Sequence, residues 1–121
     1  MSSLAALRPS ADLMAYSVVK GAVSTITKSV ALHCEGRKYD IRCNSVHPGI
    51  IDSPMTRGHF QARGVDITGA NGAAARRQLA IGECEDVANL IVFLLSDESK
   101  HISAAEIPID KGKLYTIADY K

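Results

Sequence analysis

The chain has no tryptophan, two phenylalanines and four tyrosines in 121 residues, so aromatics make up only 5%. That scarcity argues against a surface that stacks on bases or sugars. No charge of one sign dominates either: fourteen Lys and Arg stand against thirteen Asp and Glu, a formal net charge of +1. The densest basic stretch, Arg76-Arg77, is too short to be a nucleic-acid footprint. No apolar run approaches the roughly 20 residues of a membrane span. The first residues lack the basic-then-apolar order of a signal peptide. Cysteines are few: Cys34, Cys43 and Cys84 are odd in number and far apart, with no Cys-x-x-Cys or Cys/His cluster. Neither a disulfide framework nor a metal site is indicated. Free thiols fit a reducing compartment, so a cytoplasmic location is expected. Internal repeats and low-complexity stretches are absent too. What remains is the length of one ordinary domain with 46% hydrophobic residues, enough to build a packed core.

Within that length the periodicity predicts a helix over 13–34. Val19, Ala22, Val23, Ile26 and Val30 recur at steps of three and four, a core-facing stripe. Gly36, followed by Arg37 and Lys38, supplies a stop. Residues 41–46 alternate like a short strand that ends at His47-Pro48-Gly49. A helix, a strand and an immediate break suggest one crossover of a parallel sheet. Ligands of such sheets bind beyond the C-terminal ends of the strands, which makes Pro48-Gly49 a candidate contact. Residues 52–82 carry Gly58, Gly64, Gly69, Gly72 and Gly82 with weak periodicity, and read as a functional lid or a disordered connection. A second helix is predicted over 85–96, apolar around most of its circumference and therefore well buried. Residues 106–110 read as a last short strand, which Pro108 places at an edge. Asp110 suits its cap or end.

Tyr16 and Lys20 stand four apart, on one face of the first predicted helix. A free phenol, with a pKa of about 10, is a poor proton donor or acceptor at neutral pH. A neighbouring cation favours the phenolate and brings the group toward the range in which acid–base catalysis works best. With a hydroxyl from elsewhere, such a pair moves a proton on or off an alcohol oxygen. Ser3, thirteen residues before Tyr16, is the candidate hydroxyl. Alone, a Tyr-x-x-x-Lys spacing arises readily by chance.

The spacing does not stand alone. Ser3…Tyr16-x-x-x-Lys20 is followed by Asn44-Ser45-Val46-His47-Pro48-Gly49-Ile50-Ile51-Asp52-Ser53-Pro54-Met55, then by Glu85-Asp86-Val87-Ala88 and an apolar helix ending in Ser96-Asp97-Glu98-Ser99. Last come Glu106, Asp110 and Gly112. In order and spacing this resembles the C-terminal half of a short-chain dehydrogenase/reductase, most like the hydroxysteroid and cyclic-alcohol dehydrogenases, from Met1 to about Gly112. The resemblance implies an α/β fold, the C-terminal half of a Rossmann-type doubly wound parallel sheet. It implies an NAD(P)-dependent oxidoreductase that interconverts a secondary alcohol and a ketone. Tyr16 would be the general acid/base, Lys20 would act on the phenol and hold the nicotinamide ribose, and Ser3 would hydrogen-bond the substrate oxygen. Pro48, Gly49, Ile51 and Ser53 would line the nicotinamide, and residues 54–80 would form a mobile substrate loop. The partners implied are a small alcohol or ketone and a second copy of the protein, with no nucleic acid or membrane. His47 is expected to be a packed or hydrogen-bonded histidine rather than a ligand.

The resemblance also marks what these 121 residues do not contain. No Gly-x-x-x-Gly-x-Gly turn follows a strand, so the seat for the coenzyme pyrophosphate is missing. So is the residue that would choose NAD or NADP. Residues 1–121 are therefore expected to be a partial domain starting at an internal methionine of a longer enzyme. Alone they are expected to be inactive, with apolar faces of both helices uncovered and the loss of half a core enough to unfold an isolated fragment, and to act at most as a dimerisation or interaction module. Ser103-Ala104 stands where the family has Thr-Gly, Lys111 replaces the first Gly after Asp110, and Cys84 replaces a Pro.

Overall fold

Two short strands lie at the centre of the computed structural model, which describes residues 1–116. β1 (Ser45–Pro48) and β2 (Glu106–Ile109) pair in parallel, with Val46 opposite Ile107 and His47 opposite Pro108. Around them, in chain order, are α1 (Leu4–Leu7), α2 (Met14–Gly36), α3 (Pro54–Gln61), α4 (Gly69–Leu79) and α5 (Cys84–Leu95). Short 3₁₀ turns at Ala11–Leu13 and Asp97–Ser99 complete the order. The architecture is the expected α/β one, with helices on both sides of a parallel sheet.

Side chains alternate along a strand, and the two faces differ. Val46 packs with Val87 and Leu94 of α5, and Ile51, Leu90, Ile91, Ile102, Ile107 and Ile109 close around them. The opposite face carries buried Ser45 and His47 and is covered by α2, whose Lys28 reaches Glu106 at 2.9 Å. Backbone direction explains both prolines. Ser45 and Gly49 donate to the carbonyls of Ala105 and Ile109, so the intervening even-numbered residues turn away from β2. The N–H that Pro48 lacks would point away from the ladder. Pro108 likewise faces the outer side of β2, the edge position expected of it.

Several expectations need correction. The first strand begins at Ser45, not 41, because Arg42 turns aside. Its guanidinium donates to the carbonyls of Leu94 (2.9 Å) and Ser96 (3.1 Å) and to Ser99 Oγ (2.9 Å), closing the C-terminal end of α5. His47 and Pro48 belong to the strand rather than ending it. α2 ends at Gly36, as expected, but the left-handed residue past its end is not the glycine. Lys38 takes the left-handed conformation (φ 57°), and the Tyr39 N–H closes on the Cys34 carbonyl at 2.8 Å.

The face that α2 buries is Ser17, Ser24, Thr27, Ala31 and Cys34. The apolar stripe assigned to the core points elsewhere: Val19 and Ile26 are 60% and 62% exposed. Small hydroxyl residues let the helix lie close to the polar strand face, and Thr27 Oγ1 donates to its own helix at Val23 O (2.8 Å). α5 is likewise not well buried all round. Val87 and Leu94 are inside, but Val92, Phe93 and Leu95 are exposed. The uncovered apolar faces expected of both helices are therefore present among the described residues.

The Gly-rich stretch 52–82 is built as two helices rather than an open connection. Ser53 caps α3, accepting the Thr56 N–H, with Pro54 at the first helical turn. Asp66 accepts both the N–H and the hydroxyl of Thr68 at the start of α4. Gly72 lies directly against the backbone of buried Ile67, where a side chain has no room.

Candidate active site

The segment before α1 is fastened at each residue. The Ser2 N–H donates to Val46 O (2.9 Å), continuing the sheet by one bond. Ser2 Oγ donates to the Lys20 carbonyl (2.7 Å), and Lys20 Nζ reaches Met1 O at 3.4 Å. Ser3 caps α1: its Oγ accepts the Ala5 N–H at 3.2 Å. Its carbonyl lies 3.1 Å from His47 Nδ1. Ser3 is therefore held, not a polar residue on a frayed terminus.

α2 presents Tyr16 and Lys20 on one face one turn apart, with Lys20 Nζ 5.5 Å from the centre of the Tyr16 ring. The loop after β1 brings up Pro48, Gly49, Ile51 and Ser53. These three segments meet in one open cleft of about 340 Å³, walled by Ser3, Tyr16, Lys20, Pro48, Gly49, Ile51 and Ser53 together with Met1, Ser2, Met55, Thr56, Cys84 and Val87. All seven candidate catalytic and nicotinamide-contacting residues line this cleft. A second cleft, about 350 Å³, adjoins it and shares Tyr16 and Gly49. Its other walls are Leu13, Ile50, Met55, Thr56, His59 and Phe60. A larger opening, about 590 Å³, lies on the α5 side beyond β2 and takes in none of Ser3, Tyr16 and Lys20.

Gly49 has a packing reason to be glycine. A Cβ there would come within 2.9 Å of Asp110 Cβ. Asp110 itself closes the turn after β2, accepting the N–H groups of Gly112 (2.9 Å) and Leu114 (2.5 Å). Asn44 staples the opposite, N-terminal end of the strand pair, donating to Ile102 O and accepting the Ala105 N–H. His47, fully buried, is hydrogen-bonded as expected, to Ser45 Oγ (2.8 Å) and to Ser3 O.

An ion cluster fixes the rim. Asp52 takes Arg57 on one carboxylate oxygen and Arg76 on the other, each at 2.6 Å, and Arg76 also reaches Glu83. The Arg57 hydrogen bond first, then that of Arg76, hold the Asp52 carboxyl down at about 2 against its usual 3.8. Both bonds tie α3 and α4 to the end of β1. The sequence reading missed this cluster, although the alternation of acid and base at 52, 57, 76 and 83 was visible. It also missed Ser2, which the Ser2-Ser3 doublet only hinted at.

The cleft offers a nicotinamide ribose a matching donor set. Lys20 has an ammonium with three donors, one of them engaged weakly with Met1 O. Beside it are the Tyr16 phenol and the backbone around Ile51. Among the described residues no Gly-rich turn stands ready for the pyrophosphate. The fit therefore extends to the nicotinamide half of the coenzyme.

The family model described as enoyl-(acyl carrier protein) reductase matches residues 1–113. The NADP-dependent (R)-specific alcohol dehydrogenase of Lentilactobacillus kefiri is 39% identical over 116 residues, covering 93% of this chain and 43% of that protein. The 3-beta-hydroxysteroid dehydrogenase of Comamonas testosteroni is 32% identical over 114 residues, covering 94% of this chain and 45% of that one. A solved short-chain dehydrogenase from Mycobacterium paratuberculosis, bound to NAD, superposes with a TM-score of 0.75 at 30% identity, over 95% of this chain and 44% of that one. The chain thus spans less than half the length of these relatives. By the reach of the match and the level of identity, it belongs to the short-chain dehydrogenase/reductase family.

Proposed function

We propose that residues 1–121 are the proton-transfer and substrate half of an NAD(P)-dependent oxidoreductase that interconverts a secondary alcohol and a ketone. The observation that carries the reading is the single cleft in which Ser3, Tyr16, Lys20 and the 48–53 loop meet. In alcohol oxidation Tyr16 takes the proton from the carbinol oxygen, and in ketone reduction it returns one. Ser3 donates a hydrogen bond to that oxygen and spreads its charge. Lys20 favours the phenolate through its charge and binds the ribose hydroxyls, while Pro48, Gly49, Ile51 and Ser53 fix the nicotinamide ring. The coenzyme supplies or accepts the hydride. Tyr16 stands between this cleft and the adjoining one, whose walls include Leu13, Ile50, Met55 and Phe60 and no Lys, Arg, Asp or Glu. That lining suits an uncharged, largely apolar alcohol such as a cyclic or steroid one.

The chain as it stands binds the nicotinamide end alone and is inactive without a Gly-rich half. Titration with nicotinamide mononucleotide, followed by NMR, tests the site: weak binding that perturbs Tyr16, Lys20 and Ile51, and that Lys20→Ala removes, is expected. No perturbation in the cleft at saturating ligand would sink the reading. Tight binding of whole NADH or NADPH in calorimetry would sink the claim that a Gly-rich half is needed.

A second reading is favoured by the α2 surface, where Val18, Val19, Ile26 and Leu32 are 60–68% exposed. On that reading the chain is a non-catalytic interaction module whose apolar helix faces associate with a second copy. Sedimentation equilibrium separates the two, since a stable, folded monomer excludes association.

A further inference from the structure

We propose that His47 is a positioning residue for the Ser3 hydroxyl. The inference rests on the reading that this hydroxyl meets the substrate oxygen. His47 is fully buried and Ser45 is 1% exposed, so neither imidazole nitrogen is satisfied by bulk water. One nitrogen lies 3.1 Å from the Ser3 carbonyl and the other 2.8 Å from Ser45 Oγ. A carbonyl only accepts, so Nδ1 carries the proton. Nε2 of the neutral ring then accepts from the Ser45 hydroxyl. That hydroxyl has one proton and two claimants. The His47 nitrogen at 2.8 Å outcompetes the Ala105 carbonyl at 3.4 Å. Ser45, His47 and the Ser3 carbonyl thus form a directed chain inside the polar face of the sheet.

The end of that chain sets where Ser3 points. The Ser3 backbone is extended (φ −160°, ψ 158°), and its carbonyl accepts from both His47 and the Ala6 N–H (3.0 Å). The Ser3 side chain accepts the Ala5 N–H. The four-residue helix α1 is too short to hold this geometry by itself. Three anchors outside α1 do so: the Lys20 carbonyl on the Ser2 hydroxyl, Val46 O on the Ser2 N–H, and His47 on the Ser3 carbonyl. The last two lie on β1, the strand that ends at Pro48 and leads into Gly49. The strand that lines the nicotinamide side therefore also registers the hydroxyl on the substrate side.

Long-range ¹H–¹⁵N NMR of the 121-residue chain reads the ring directly, and the His47 proton is expected on Nδ1. His47→Leu keeps the bulk and removes the donor. Exchange of the Ser2 and Ala5 amides should then quicken about two- to tenfold, the effect of one net hydrogen bond. Amides in α5 should be unaffected. His47→Asn places an N–H donor near the Nδ1 position and should restore slow exchange at both amides, a rescue that a mere volume effect would not give. A proton on Nε2, unchanged exchange at Ser2 and Ala5 in the Leu variant, or equal behaviour of Leu and Asn variants would overturn the proposal. Should His47→Leu fail to fold, the ring proton of the unsubstituted chain and the Asn variant still decide it. None of these readouts needs coenzyme. A failure of nicotinamide binding therefore strikes the oxidoreductase reading and leaves the His47–Ser3 result standing.

Discussion

On one face of the β1–β2 pair the buried side chains are Val46, Val87 and Leu94, ringed by isoleucines. On the other they are Ser45, His47, Ser2, Ser17, Ser24 and Thr27, with the small Ala31 and Cys34 of α2 beside them. The first face is held by removal of apolar surface from water, which is non-directional and scales with area. The second is held by hydrogen bonds of stated partners: Ser2 to Lys20 O and to Val46 O, His47 to Ser3 O. Directional contacts add little net stability but fix positions closely. Ser3, Tyr16 and Lys20 all stand on the directional side. The division of labour is physical: α5 supplies adhesion, and α2 supplies geometry.

The comparison breaks most directly at Leu94. It is 8% exposed and central to the apolar cluster, so Leu94→Ala should cost about 2–5 kcal/mol in urea unfolding. Thr27→Ala, at an equally buried site on the α2 face, loses one methyl group and one hydrogen bond back to its own helix. It should cost about 1 kcal/mol. Equal losses would mean that the two faces differ in composition but not in energetic role.

A second, smaller effect tests how the apolar side is joined to the strand. Arg42, just before β1, reaches across to the end of α5, with two backbone carbonyls and Ser99 as partners. Arg42→Ala leaves the buried Ser99 and the helix end short of a charged donor and should cost about 2 kcal/mol. Hydrogen exchange should quicken in the last turn of α5 and not in α2. Loosening of α2 as well would show that the two faces are not separable.

Much of this was legible in the sequence, and the misses share a cause. Tyr16, Lys20, Ser3 and the 48–53 loop were picked out by the resemblance to a known family, since the Tyr-Lys spacing alone arises by chance, and the fold brings these candidates to one cleft. Element types at α2, α5 and β2 followed from periodicity and caps. Periodicity failed on which face of α2 is buried, since it selects the most apolar stripe. The true inner face is made of Ser17, Ser24, Thr27, Ala31 and Cys34, small residues that fit closely against the strand rather than the most hydrophobic ones. It failed again at α3 and α4. Gly58, Gly69 and Gly72 lower helix propensity, while the Ser53 cap and the contact between Gly72 and Ile67 restore it. The link between His47 and Ser3 joins residues 44 apart in sequence, and no local pattern carries it.

Both ends of β2 offer a smaller test. Ala104 (φ 58°) and Lys111 (φ 56°) occupy left-handed backbone, where a Cβ is strained, and the family pattern has Gly at both. Ala104→Gly and Lys111→Gly should each raise stability by about 1 kcal/mol. Because β2 serves both faces, the gain should appear equally in the Leu94→Ala and Thr27→Ala backgrounds. A gain confined to one background would tie β2 to that face alone.

The smallest effect is expected at the rim, where water reaches the Asp52 cluster and neither face dominates. Arg57 and Arg76 hold the Asp52 carboxyl down to about 2, against 3.8 when unperturbed. A group with a depressed folded-state value contributes its stability in full above the unfolded value and loses it as pH falls through the folded one. The difference in unfolding free energy between the native chain and Asp52→Asn should therefore be constant above about pH 4. It should shrink through the window from 3.8 down to 2, and vanish below that. Urea midpoints of both proteins across that range supply the measurement. A difference that does not change with pH would mean that Asp52 acts through packing. With a pH-dependent difference, the acid window belongs to the α3–α4 rim, and the two faces of the sheet keep their contrast at every pH.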